Sequence, residues 1–202
     1  AVIMTTVGTA RELGIDEDRW VYLNGCAEVN DVWFVGERAD LSRSNAVALA
    51  GKTALARANC EIDDIALMDI YSCFPCAVEL ACDALGIDPF GERALSLTGG
   101  LPYFGGPGHG YSLHAVVTMA EQLRQQPGAN GMITANGWYM TKQAIGIYST
   151  RPAHQNWQRG DDSPLQQQMD SQDHPRIDDA PEGPGVVDSF TVVCDGDGPQ
   201  QG

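Results

Sequence analysis

The chain has 202 residues, enough for one domain with a sizeable core plus an appendage, since domains usually run to roughly 100–200 residues. With 43% hydrophobic and 19% charged residues, and no apolar run near the roughly 20 residues that a membrane helix needs, the composition is that of a globular protein with no membrane partner. A net charge of −15, without a Lys/Arg cluster to offset it locally, repels phosphate backbones and anionic lipid, so nucleic acid is excluded as an expected partner.

In chain order, Ala1 to Thr6 is an apolar, Thr-rich run that reads as a strand entered midway, with something expected before it and no signal peptide. A helix is predicted after Ser44, placing Val47, Ala50, Ala54 and Ala58 on one face. A strand-like run, Ile65 to Ile70, leads into a second helix with Pro75 in its first turn. That helix aligns Val78, Ala81, Cys82 and Leu85 and is followed by Gly86. The third helix starts near Ser112, carries Leu113, Val116, Val117, Ala120 and Leu123, and stops before Pro127-Gly128. Gly131 to Ala135 and Ala144 to Ser149 are two more strand-like runs, and this alternation argues for an α/β layer structure. From Arg151 to Gly185 lie five prolines, many Gln and Asp and few large apolar residues, which reads as an extended linker. Val186 to Val193 alternates like a strand and meets the turn signal Asp195-Gly196-Asp197-Gly198-Pro199, so the chain is expected to stop in mid-hairpin.

Six cysteines (Cys26, Cys60, Cys73, Cys76, Cys82, Cys194) are spread along a chain that has a core, unlike a small secreted disulfide scaffold, and this favours a reducing cytoplasm. Cys73 and Cys76 have no second Cys-x-x-Cys or His pair to complete a tetrahedral zinc site, so no metal is expected. The same Cys73-Phe74-Pro75-Cys76, between a strand and a helix start, also fits a thioredoxin-like redox turn.

Three stretches carry the chemistry: Asp69-Ile70-Tyr71-Ser72-Cys73-Phe74, Gly99-Gly100-Leu101-Pro102-Tyr103-Phe104-Gly105-Gly106-Pro107-Gly108-His109-Gly110, and Thr134-Ala135-Asn136-Gly137. In order and spacing they resemble the thiolase superfamily, in particular acetyl-CoA acetyltransferase and sterol carrier protein-type thiolases. There the corresponding places read His-Asp-Cys-Phe (or Asn-Glu-Ala-Phe), Gly-Gly-Leu-x-x-x-Gly-His-Pro, and a late Cys-x-Gly. The resemblance covers roughly residues 1 to 150. It implies an α/β C-terminal half of a thiolase-like fold, with a mixed sheet and helices on both faces. The implied divisions are 1–37, the end of the N-terminal half and its connection; 38–150, the C-terminal half; 151–185, an acidic Pro/Gln-rich linker; and 186–202, the first strand and turn of an appended β unit.

The family also implies acyl-CoA chemistry, with the coenzyme A thioester as substrate and no separate cofactor. A first-half cysteine takes the acyl group, a second-half histidine activates it, another cysteine moves the α-proton, and Asn or His groups steady the oxyanions. The missing N-terminal half is then the implied partner, alongside the acyl-CoA itself, and a homo-oligomer stays open.

The departures from the pattern bear on activity. Laid on without gaps, the family's Asn or His falls on Tyr71, its Gly-His-Pro histidine on Gly106, and its late cysteine on Ala135. Neither glycine nor alanine carries a proton, and each lost acid/base group costs typically ~10²–10⁴-fold in rate. The candidate catalytic residues are therefore Tyr71, Cys73, His109 and Asn136, and the candidate substrate-binding residues are Gly99, Gly100, Gly105, Gly106 and Gly108. A phenol at Tyr71 either donates to a developing oxyanion or packs its ring. His109 either swings in as a replacement base or stays a solvent-facing loop residue. The glycines suit a ligand close to the main chain, and equally a tight turn before a helix. Two functions follow: an acyltransferase fragment of the thiolase family with degenerate motifs, inactive alone, or a non-catalytic protein that binds acyl-CoA or a partner.

Overall fold

Every second residue in the predicted strand runs is apolar, and in the computed structural model, which describes residues 2–153, 157–187 and 190–200, those runs pair into one sheet. The sheet contains β1 (Tyr22–Asn30), β2 (Ile65–Asp69), β3 (Asn130–Gly137) and β4 (Lys142–Ser149) in the order β1-β4-β3-β2. β4 runs antiparallel to both its neighbours and β2 runs parallel to β3, so the sheet is mixed, as expected. The β2-to-β3 crossover carries α3 (Pro75–Leu85), the four-residue α4 (Leu101–Phe104) and α5 (Tyr111–Gln125). The short helix α1 (Val7–Glu12) precedes β1, and α2 (Asn45–Ala58) connects β1 to β2.

Alternation sends neighbouring side chains to opposite faces. Ala27, Val29, Met68, Met132, Ile145 and Ile147 point to one face, where Val47, Ala50 and Ala54 of α2 and Ala81, Cys82 and Leu85 of α3 cover them. Leu67, Ile133 and Tyr148 point to the other and meet Ala115, Met119 and Leu123 of α5. Helices therefore lie on both faces. Local signals set their ends: Ser44 Oγ accepts from Val47 N at 3.3 Å before α2, and Pro75 opens α3, which Gly86 closes at φ +71.

Four segments differ from the expectations. Residues 2–6 are extended but belong to no strand; Thr6 instead caps α1, accepting from Thr9 N at 3.1 Å, and Ala1 lies outside the described residues. β1 falls in a stretch where no strand was expected. The expected linker contains a helix, α6 (Ser163–Asp170), because Leu165 and Met169, four apart, give it an apolar stripe that packs into the α2 face. At the chain's end, residues 186–187 and 190–193 form no strand, and residues 188–189 and 201–202 lie outside the described set. The hairpin expected to lack its return closes within the chain, between β5 (Cys194–Asp195) and β6 (Gly198–Pro199), because the two-residue turn at 196–197 lets the strands pair at once.

Candidate functional site

The three sequence stretches meet at the C-terminal ends of β2 and β3. Since β2 and β3 are parallel, with Asp69 opposite Ile133, the residues after both strands emerge side by side. Thr134 Oγ1 accepts the backbone N–H of Tyr71 at 2.9 Å, tying the first stretch to the third. Ser72 Oγ accepts the N–H of Leu101 at 2.9 Å, tying the first to the glycine loop.

Beneath them lies Asp69, fully buried at 0% exposure. Its Oδ2 accepts from Ser96 Oγ, Leu97 N, Thr98 N and Thr98 Oγ1 at 2.9–3.1 Å, and its Oδ1 accepts from Tyr111 Oη at 2.8 Å. A carboxylate fed by several donors replaces its lost hydration without a cation. It fixes the approach to Gly99-Gly100 and the first residue of α5 on one anchor. Gly99 and Gly100 follow at φ +87 and +98, a left-handed backbone that favours glycine.

Of the four candidate catalytic residues, the fold brings three together. Asn136 Nδ2 donates to Cys73 Sγ at 3.4 Å and to Met140 Sδ at 3.1 Å, and its Oδ1 accepts from Gln143 Nε2 at 3.2 Å. Tyr71 stands edge-on to Tyr111, ring centroids 5.3 Å apart. Burial, reinforced by the nearby Cys73, raises the Tyr71 phenol above its ordinary value, so it stays protonated and able to donate. His109 stands apart on the exposed loop, and no hydrogen bond joins it to the other three among the described residues. His114, one turn into α5, packs its ring against Phe104 with centroids 5.4 Å apart.

Gly106 sits where the sequence alignment placed a histidine. A Cβ built there would lie 3.2 Å from Leu101 Cγ and 3.4 Å from Tyr111 Cβ, so a side chain at this position requires Leu101 to give by a few tenths of an ångström. Gly105 and Gly108, at φ +84 and +57, make the bends of the same loop. Cys73 precedes Phe74, the N-cap of α3, and Cys76 is exposed in the first turn. No group of three or more His, Cys, Asp or Glu side chains able to hold a metal ion occurs among the described residues. No described helix is long and apolar enough to cross a membrane.

The motifs did not single out Asp69, Thr98, Tyr111 and Gln143 as members of this site. Asp69 stood inside the first stretch, but its partners are 27 to 42 positions away, and only the fold makes them neighbours.

No family model and no curated protein matches the chain. Among solved structures it is similar to the monomeric SCP2-thiolase-like protein type 1 from Mycobacterium smegmatis, at 40% identity with a TM-score of 0.82. The match covers 88% of this chain and 39% of that one.

Proposed function

From the premise that this chain is thiolase-like in its fold, we propose that it binds acyl-CoA through a thiolase-type pocket that no longer carries acyl-transfer machinery of its own. The observation behind this is Gly106, packed beside Leu101 and Tyr111 where the family pattern has its histidine, together with Ala135 where it has its late cysteine. Thiolysis and condensation both need a thiolate to hold the acyl group and a second group to move the α-proton. Tyr71 and Asn136 supply hydrogen-bond donors of the kind that steady an oxyanion, but neither accepts a proton near neutral pH.

The chain spans 39% of the length of the similar Mycobacterium protein. The partner in this proposal is the remaining half of a thiolase-like fold. It would seat on the second face of the sheet, where α5 is the one helix that packs among the described residues.

Calorimetric titration of acetyl-CoA into the chain tests this. The expected result is saturable binding with no acetyl transfer to any cysteine by mass spectrometry. No heat up to about 1 mM, where binding free energy falls to roughly −4 kcal/mol, rules out the pocket; a covalent acetyl adduct rules out its lack of transfer machinery.

A further inference from the structure

The hairpin between β3 and β4 presents a group of side chains that the thiolase pattern does not use. Trp138 and Met140 hold left-handed backbone, φ +60 and +58, which for bulky residues occurs only where the surroundings enforce it. Arg38 ties down the residues on either side of Met140. Its Nη1 donates to Tyr139 O at 2.7 Å and its Nη2 to Thr141 Oγ1 at 3.0 Å, while Nε and Nη2 reach Val32 O at 3.0 and 2.9 Å. The Asp31 N–H donates to Thr141 O at 2.7 Å as well. One guanidinium thus pins the loop after β1 to the hairpin tip, and Thr141 is fully buried beneath it.

This clamp fixes two tryptophans against each other. Trp33 and Trp138 stand 5.9 Å apart at 80°, and the Lys142 ammonium lies 5.4 Å and 5.8 Å from their ring centres. Both rings face solvent, 47% and 70% exposed. Lys142 makes no ion pair among the described residues, although the chain carries a charge of −15 and has only Lys52 as its other lysine. Trp33 and Lys142 line the groove next to Ala135 and Asn136. The nearby acidic groups Glu28 and Asp162 are engaged by Arg159 and Arg57, each at 2.6 Å, which leaves Asp161 as the groove's one unpaired carboxylate.

We propose that Trp33, Trp138 and Lys142 form a recognition site for acyl groups that carry a planar ring and a carboxylate, the ring packing on the two indoles and the carboxylate pairing with Lys142. This rests on the acyl-CoA reading above. The site adjoins the third motif, where the α-carbon of an acyl group would lie, so it meets the acyl portion rather than the nucleotide. Rings held edge to face offer a bound ring one face and one edge at no ordering cost. The Lys142 ammonium, exposed beside the two indoles, adds an ion pair to its cation–π contact when a carboxylate arrives.

The test compares calorimetric affinities of CoA, benzoyl-CoA and the monothioester terephthaloyl-CoA, with free terephthalate followed by tryptophan fluorescence, in the chain and in its Trp138→Ala and Lys142→Gln forms. The expected order is terephthaloyl-CoA tighter than benzoyl-CoA by about tenfold, a gap that Lys142→Gln removes. Trp138→Ala should weaken both ring-bearing thioesters and leave CoA unchanged. Equal affinities for all three, unmoved by either substitution, overturn the recognition site while the acyl-CoA reading stands. Quenching by free terephthalate that needs Lys142, with no CoA species bound, keeps the site and overturns the reading. No binding by any probe overturns both.

Discussion

Asp69 accepts five hydrogen bonds and has no exposed surface, so its charge is held entirely by dipoles from the glycine-loop approach and from Tyr111. Replacing it by Asn keeps the shape but turns one acceptor into a donor that faces other donors. Asp69→Asn should lose about 2–4 kcal/mol in urea unfolding, and a loss within roughly 0.5 kcal/mol would mean that the loop is held by something else. Three phenols give a second check at this scale. Burial raises Tyr71, Tyr111 and Tyr148 above the ordinary tyrosine value, so the folded state holds these protons more tightly than the unfolded chain does. Their contribution to stability is complete below about pH 10 and is lost as pH rises through the raised folded values. Phenolate absorbance should show these three ionising together with unfolding; ionisation in the native state near pH 10 would contradict their burial. The motifs named Tyr71, Cys73 and Asn136 in the sequence because chemistry-bearing residues cluster at a strand end. They left Asp69 without a role, since its donors come from two other segments, Ser96–Thr98 and the start of α5 at Tyr111.

Strand β1 and helix α6 show where periodicity stops being readable. Tyr22–Asn30 mixes Asn24, Gly25 and Cys26 into its middle, and its register against β4 shifts between Leu23 and Gly25, so the two-residue alternation is broken where it would have been counted. The glycine is there for packing: a Cβ on Gly25 would run into the carbonyl oxygen of Ala54 and lie 2.7 Å from Ala58 N, so α2 presses directly on the strand. Because both obstacles are backbone, Gly25→Val should cost about 2–3 kcal/mol, roughly 5–10 °C in Tm; an unchanged Tm by calorimetry would show that α2 can move away. Helix α6 was hidden by its Gln- and Asp-rich composition. It is held from outside itself: Asp162 accepts from Glu28 N at 3.1 Å and from Arg57 at 2.6 Å, and Gln166 exchanges hydrogen bonds with the Asn30 backbone at 2.8 and 3.0 Å. These side chains occupy the free edge of β1 as a neighbouring strand would. The α2, α3 and α5 helices, by contrast, carried punctuation and apolar periodicity and lay where the sequence placed them, although α5 buries Tyr111, Ala115, Met119 and Leu123 and leaves Leu113 exposed.

Taken whole, the molecule has a thiolase-like fold, and in the function proposed above Gly106 and Ala135 stand where the family pattern has its histidine and its late cysteine. The two candidates for replacing those groups are placed differently. Cys73 is engaged by Asn136 at 3.4 Å, and His109 lies on the exposed glycine loop with no hydrogen bond to the rest of the site among the described residues. The most direct measurement follows the 3-ketoacyl-CoA enolate absorbance with free CoA present, for the chain and for its His109→Ala and Cys73→Ala forms. An acyl-CoA pocket without transfer machinery predicts decay at the buffer rate for all three. Turnover above that rate in the chain, abolished by either substitution, would contradict it and show an active site rebuilt from different residues.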